Sequence, residues 1–204
     1  MEKENSWLRF TIGLIIVSLG IVLTVKARLG VSPWNVFHIG LTKHVNLTLG
    51  QASQLTGLVI IILSFLIAKI KPSLATVINM FLVGFLIDLI MPLIPNPHGL
   101  IMRYLYLFCG VVTFSFGVGV YISSECGTGP RDSLMMALDR KLDYRLALIR
   151  NSIELTVLVI GYFLGGPVGV GTVLVALAVG PIVEGTLILM SKLFKNATYQ
   201  ADYQ

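Results

Sequence analysis

Charged residues are scarce in this chain. Asp, Glu, Lys and Arg together make up only 12% of its 204 residues, whereas 55% are apolar and the mean hydropathy is +0.87. A water-soluble protein of this length needs many more charged and polar side chains to cover its surface. The composition therefore excludes a soluble globular protein and indicates that most of the chain faces lipid or other helices.

The spacing patterns of common catalytic and metal sites are also missing. The two cysteines, Cys109 and Cys126, give neither a disulfide framework nor a CxxC pair, and the three histidines are not spaced like metal ligands. The chain has no Gly-x-Ser-x-Gly motif and no phosphate-binding glycine loop. We therefore expect a protein that is not an enzyme and that needs neither a metal nor another cofactor.

Long apolar runs take the place of such motifs. A helix needs about 20 mostly apolar residues to cross a bilayer. The first run ends without a small-x-small cleavage site, so we expect a retained helix and not a signal peptide. The sequence therefore predicts an all-α membrane protein that forms one membrane domain over residues 1–204. The predicted spans are 8–27, 51–70, 74–94, 101–122, 148–165 and 171–191.

The basic residues sort to one side of these six spans. If the N-terminus is cytoplasmic, only four of the 15 Lys and Arg residues fall outside, namely Lys26, Arg28, Lys43 and Arg103. The positive-inside rule then predicts that both termini are cytoplasmic and that residues 192–204 form a cytoplasmic tail. Because the net charge of +5 follows membrane sidedness, it does not indicate nucleic-acid binding.

The two halves of the chain follow one plan. When the second half is shifted back by 97 residues, or by 96 after one deletion, its glycine, proline and acidic residues align with similar residues of the first half. Each half, 8–94 and 101–191, holds three spans, an odd number, so the second is predicted to be inverted relative to the first. Inverted repeats are common in secondary transporters, although duplication can also build a symmetric bundle without a pathway. The matched pairs are Gly13/Gly110, Gly20/Gly117, Gly30/Gly127, Pro33/Pro130, Asn35/Asp132, Thr76/Thr172, Gly84/Gly180 and Asp88/Glu184.

A glycine and proline motif follows the first span of each half, as "GVSPWNVF" in the first and "GTGPRDSL" in the second. Gly30 and Gly127 let the backbone turn, and Pro33 and Pro130 fit the first position of a helix. Each motif predicts a helix of 11 or 12 residues, about 16–18 Å long, which is too short to cross the membrane.

The residues beside these prolines suit a helix start. Ser32 and Gly129 fall at the N-cap, and Asn35 and Asp132 fall at the third helical position, where they can accept from free N–H groups. The two short helices either lie in the membrane interface, with Trp34 as an anchor, or re-enter the membrane. In the second arrangement their N-termini meet at a central cavity.

Asp88 and Glu184 are acidic residues deep within apolar spans, where a polar side chain is costly and indicates function by default. Asp88 and Glu184 each lie about 6 Å from the middle of the membrane, one in each half, and each follows a glycine by four residues. Each carboxyl either takes part in transport or accepts hydrogen bonds from N–H groups of a neighbouring short helix.

A second group of charges enters from the predicted cytoplasmic side. Arg150 and Glu154 are four residues apart and share a helix face. With Arg131, Asp132 and Glu184 they are predicted to form one polar cluster that is a gate, a solute site or a structural network. The outer half offers only Asn35, His38, Gln54 and Asp88. The candidate binding or coupling residues are Asn35, His38, Asp88, Arg131, Asp132, Arg150, Glu154 and Glu184.

The two motifs, together with "IELTVLVIGYFLGGPVGVGTVLVALAVGP", resemble the YczE/YitT-like family of bacterial integral membrane proteins, and its YczE branch most closely. The resemblance covers nearly the whole chain. It implies a six-span protein of the bacterial cytoplasmic membrane and little about activity. Many members carry Asp at the position of Asn35, so the first motif here lacks that carboxyl.

These observations favour a secondary transporter or facilitator of a small polar metabolite, with a carboxyl among Glu154, Glu184 and Asp88 as the handle for a proton or cation. The alternatives are a non-catalytic scaffold or assembly factor, and the substrate-binding subunit of an energy-coupling vitamin importer. The expected partners are the lipid bilayer, a small solute, and either further copies of the chain or another membrane protein.

Overall fold

The structure, a computed structural model, describes residues 2–142 and 144–194, with side chains from Ser6 onward. Residues 195–204 of the predicted tail lie outside this part of the chain. Within it the secondary structure consists of eight α-helices, which confirms the all-α prediction. They are α1 (Glu2–Ala27), α2 (Pro33–Thr42), α3 (Leu49–Ala68), α4 (Leu74–Ile90), α5 (Gly99–Ile122), α6 (Pro130–Asp139), α7 (Leu146–Phe163) and α8 (Val170–Leu193).

Five of these helices, α1, α3, α5, α7 and α8, are long and apolar enough to cross a membrane. α4 is apolar too but has only 17 residues, and it stops at Ile90 where the sequence predicted a span to residue 94. The sequence "MPLIPNP" follows, and its prolines cannot continue a helix because they lack an N–H and disfavour helical geometry in the residue before them. The two short helices, α2 and α6, begin at the predicted prolines.

The centre of the fold is the crossing of α1 with α5. Early residues of α1 lie against late residues of α5, so the helices run antiparallel. A Cβ added to Gly20 would lie 2.3 Å from the backbone nitrogen of Phe114, and one added to Gly117 would lie 2.6 Å from the nitrogen of Val17. Only glycine allows the two backbones to approach this closely.

The remaining helices surround this crossing. α4 packs on α1, and α8 packs on α5. Each short helix packs chiefly on a long helix of the other half of the chain, α2 on α7 and α6 on α3. Apolar clusters fill the spaces between these layers, one of them centred on Val17, Val22 and Ile87 and another on Leu107 and Val175.

Candidate functional site

The two short helices begin next to each other inside the protein. The guanidinium carbon of Arg131 lies 4.8 Å from the centroid of the Trp34 ring, a cation–π contact. Trp34 and Arg131 are each the second residue of their helix, after Pro33 and Pro130. The first turns of α2 and α6 therefore converge, with Trp34 only 5% exposed.

The glycines that precede the short helices hold the chain in a tight turn. Gly30 has a φ of +100° and Gly127 a φ of +147°, which side-chain-bearing residues rarely adopt. The turn after α1 is bound to the start of α8, since the N–H of Gly171 donates to the carbonyl of Leu29 at 2.7 Å. The turn after α5 is bound to the start of α4 in the same way, through a hydrogen bond of 2.8 Å from the Thr76 hydroxyl to the Thr128 carbonyl.

The two helix starts are capped differently. At α6 the N–H of Gly129 donates to the carboxylate of Asp132 at 3.2 Å, as the sequence predicted for the third helical position. At α2 Ser32 occupies the predicted N-cap position, but its hydroxyl makes no cap hydrogen bond and has no partner among the described residues. Asn35 is the α2 residue that aligns with Asp132. The start of α2 therefore lacks a carboxylate from its own helix that could accept a hydrogen bond from the N-cap N–H.

Four of the predicted cluster residues, Arg131 among them, lie within electrostatic range of one another, with no ion pair or hydrogen bond joining their side chains in the described part of the chain. The electrostatic partners of Arg131 include the carboxylates of Glu154 and Asp132, and Arg150 acts on Asp132 from α7. Tyr121, in the last turn of α5, takes part in the same network. This arrangement balances two cations against two carboxylates beside the start of α6.

Two aromatic residues of this network had no clear signal in the sequence. Trp34 suggested an interface anchor, as tryptophan often is in membrane proteins. Its contact with Arg131 could not be foreseen, because the two residues are 97 positions apart in the chain. Tyr121 belongs to an apolar run that reads only as a span. Neither residue can be assigned to the cluster until the fold brings α2, α5 and α6 together.

His38 is buried beside this network. It is 2% exposed, and neither ring nitrogen has a hydrogen-bond partner among the residues that the structure describes. The guanidinium of Arg131 acts electrostatically on its ring. His38 and Ser32 thus leave polar atoms free within reach of the convergence of α2 and α6.

Asp88 has a structural partner. One of its carboxylate oxygens accepts from the N–H of Gly50 at 2.9 Å and the other from the hydroxyl of Thr48 at 2.5 Å. Gln54 of α3 also donates to the carbonyl of Phe81 in α4, at 2.9 Å. Asp88 therefore caps the start of the long helix α3, where the sequence analysis considered a short helix.

Glu184 does not join the cluster in which the sequence analysis placed it. α8 packs chiefly on α5, through contacts such as Thr186 with Gly119, and makes no extensive contact with α6 or α7 in the described part of the chain. The Glu184 side chain is exposed on the opposite face of α8. It has no hydrogen bond or ion pair among residues 2–142 and 144–194.

Comparisons with known proteins give the chain a family. A family model described as "Family of unknown function (DUF6198)" matches residues 5–186. The "Uncharacterized membrane protein YczE" of Bacillus subtilis (strain 168) is 38% identical over 187 residues, which is 91% of this chain and 87% of that protein. An "Uncharacterized protein" of Haemophilus influenzae is 29% identical over 88% of the chain and 82% of its own length.

A further relative, the "Uncharacterized protein YyaS" of Bacillus subtilis, is 30% identical over 82% of this chain and 85% of its own length. No solved structure shows significant similarity to the chain. The apolar helices and the similarity to a membrane protein agree that this is a multi-pass α-helical membrane protein. By family match and identity, the chain belongs to the DUF6198 family and to its YczE branch.

Proposed function

We propose that this protein is a secondary transporter or facilitator of a small polar metabolite, built from two inverted repeats of three spans. In this account α4 is the third span of the first repeat, and both chain ends face the cytoplasm. The observation that carries the proposal is that the two repeats pack differently, as alternating access requires.

Reciprocal contacts between α1 and α5 support the inverted repeat. For each contact, adding 97 to the α1 residue number and subtracting 97 from the α5 residue number gives a second contact that is also present. A two-fold axis between identical elements produces such reciprocal pairs. At the middle, Ser18 and Ser115 are both fully buried, and each hydroxyl donates to the carbonyl four residues earlier, at 2.8 and 2.7 Å. The reciprocal pairs are Gly13 with Tyr121 and Gly110 with Thr24, and Gly20 with Phe114 and Gly117 with Val17.

The positions of α2 and α6 support the re-entrant arrangement. Trp34 and Arg131 are equivalent under the same offset and touch each other. Two helix starts that meet inside the protein place polar backbone and side chains where only a protein-lined cavity makes them tolerable. In transporters of this plan, solute sites lie between the repeats at such discontinuous helices.

The first repeat has its second and third spans packed together. α3 lies against α4 so closely that a Cβ on Gly84 would be 2.7 Å from the carbonyl oxygen of Gly50. Asp88 caps the start of α3 from α4. This contact closes the space between the two spans.

The second repeat has the equivalent spans apart. Glu184, the equivalent of Asp88, is exposed, and a Cβ on Gly180, the equivalent of Gly84, would meet no atom within 4 Å. On α7 the corresponding residues Ala147 and Asn151 are exposed too. No described side chain caps the start of α7 after Arg145.

This difference supports a transport cycle in which the repeats exchange arrangements. The gap between α7 and α8 gives a solute a route to the cluster of Arg131, Asp132, Arg150 and Glu154. When α8 closes on α7, Glu184 takes the capping position that Asp88 holds in the first repeat. In this cycle Glu184 is the candidate handle for a proton or cation.

Solute flux tests the proposal. A thermal-shift screen of polar metabolites on the purified protein identifies ligands, because a bound ligand raises the melting temperature. Proteoliposomes then accumulate the labelled ligand with wild-type protein and fail to do so with Glu184→Gln or Asp132→Asn. Asp139→Asn, an exposed acid at the end of α6, is the matched control and retains uptake. A screen without ligands, or unchanged uptake in both cluster variants, would refute the proposal.

A non-catalytic scaffold is the second candidate, favoured by the same exposed faces of α7 and α8. A partner helix with a basic residue would then cover Glu184 permanently. This candidate predicts a stable partner in a detergent pull-down, loss of that partner in Glu184→Gln, and no flux of any solute in proteoliposomes.

A further inference from the structure

A pocket lined by basic side chains lies where α1 ends and α5 begins. Its volume is about 240 Å³, and its walls are Lys26, Arg28, Asn96, Pro97 and Arg103. The pocket shares no lining residue with the charged cluster or with the gap between α7 and α8. The proposed transport mechanism therefore leaves these three cations unexplained.

Hydrogen bonds to the backbone hold the walls in place. The Nε of Arg103 donates to the carbonyl of Ala27 at 2.9 Å, and one of its terminal nitrogens donates to the carbonyl of Arg28. The ammonium of Lys26 donates to the side-chain oxygen of Asn96 at 3.3 Å. Arg28 has a left-handed backbone with a φ of 53°, and its side chain is exposed. The turn is thus fixed, while the Arg28 guanidinium stays available to a ligand.

The charge of the pocket is uncompensated. Three of its five lining residues are cations, and none of those that the structure describes there is acidic. Cations that line one small pocket repel each other unless an anion lies between them. Guanidinium and ammonium groups bind phosphate oxygens through strong charge-assisted hydrogen bonds, and arginine does so with two parallel bonds.

The distribution of charge along the sequence points to the same conclusion. Only four basic residues fall on the predicted outer side of the membrane, and three of them line this pocket. The positive-inside rule works against basic residues in short outer loops. Lys43 and Arg103 already donate to backbone carbonyls, and Lys26 donates to the side chain of Asn96. The Arg28 guanidinium has no partner among the described residues, and a ligand held between it and its two neighbouring cations would give it one.

We propose that this pocket binds a phosphate group. It lies at the ends of two membrane spans, the level at which lipid head groups meet the protein. The phosphate belongs either to an anionic phospholipid or to a soluble phosphorylated compound, and the same side chains bind both. The proposal is independent of solute transport, because it concerns other residues at one end of the spans.

Binding by the purified full-length protein tests the pocket. The probes are short-chain phosphatidylglycerol, with zwitterionic phosphatidylcholine for comparison, and inorganic pyrophosphate; lipid binding is read by native mass spectrometry and pyrophosphate binding by thermal shift. The double variant Lys26→Gln/Arg28→Gln is expected to weaken binding about tenfold or more. Lys71→Gln, an exposed lysine elsewhere, is the matched control and binds like the wild type.

Each outcome decides the matter. Selective binding of phosphatidylglycerol that is lost in the double variant identifies a lipid site, and selective binding of pyrophosphate identifies a site for a soluble ligand. If neither probe binds the wild type, or if Lys71→Gln loses as much affinity as the double variant, the proposal is overturned. Arg28→Gln alone repeats the test without touching the bond from Lys26 to Asn96, should the double variant fail to fold.

Discussion

Trp34 and Arg131 hold the same position in the two halves of the chain and stack on each other, with 4.8 Å between the guanidinium carbon and the ring centroid. When a two-fold rotation exchanges two residues, they can be in contact only if both lie close to the rotation axis. Under the proposed inverted repeat, this pair therefore marks where the axis passes between the starts of α2 and α6. The free polar atoms of His38 lie beside it.

The first prediction concerns this stacked pair. Replacing Trp34 by Leu and Arg131 by Gln, singly and together, should give a coupling free energy of about 0.5–2 kcal/mol, the range for a cation–π contact shielded from water. The measurement is a double-mutant cycle on the free energy of unfolding in detergent. Additive effects of the two substitutions would contradict a direct contact.

The second prediction concerns the crossing of α1 and α5. Gly20→Ala would place a methyl group 2.3 Å from the backbone nitrogen of Phe114, so the helices must separate. We expect the free energy of unfolding to fall by about 1–3 kcal/mol, as overpacking does elsewhere. Gly180→Ala is the matched control, since its methyl group meets open space. Equal melting temperatures for the two variants would contradict the close crossing.

The third prediction separates the two equivalent acids. Asp88→Ala removes the hydrogen bonds that Gly50 and Thr48 donate at the start of α3, while the capping box of Thr48 and Gln51 remains. It should lower the free energy of unfolding by about 1–2 kcal/mol. Glu184→Ala removes a side chain without a partner in the described structure and should change stability by less than about 0.5 kcal/mol. Chemical denaturation of both variants checks this. Equal losses would indicate that α8 already caps α7 in the resting protein.

The helices were largely predictable from the sequence. Apolar runs of spanning length located five long helices, and Pro33 and Pro130 located the starts of the short ones. The end of the third predicted span was placed four residues too late, because its apolar composition continues through Pro92 while the helix does not. Local composition reports where a segment is apolar, and backbone geometry decides where its helix ends.

The site was predictable only in part. Counting spans assigns Arg131, Asp132, Arg150 and Glu154 to one predicted side of the membrane, and the structure places them within electrostatic range of one another. Glu184 was assigned to them because it lies in the predicted inner half of its span. In the structure α8 packs on α5, a tertiary contact that local sequence patterns do not reveal, so the exposure of Glu184 required the structure.

Cysteine cross-linking tests the exchange of arrangements most directly and needs no known solute. Ala147 and Gly180 correspond to Gly50 and Gly84, which touch in the first repeat. In a background without Cys109 and Cys126, the double variant Ala147→Cys/Gly180→Cys is oxidised in native membranes. Ala147→Cys with Ile182→Cys, on another face of α8, is the control pair.

An exchange of arrangements predicts that the first pair cross-links and that the control pair does not. A protein in which α7 and α8 stay apart under every condition, so that neither pair ever cross-links, would contradict alternating access.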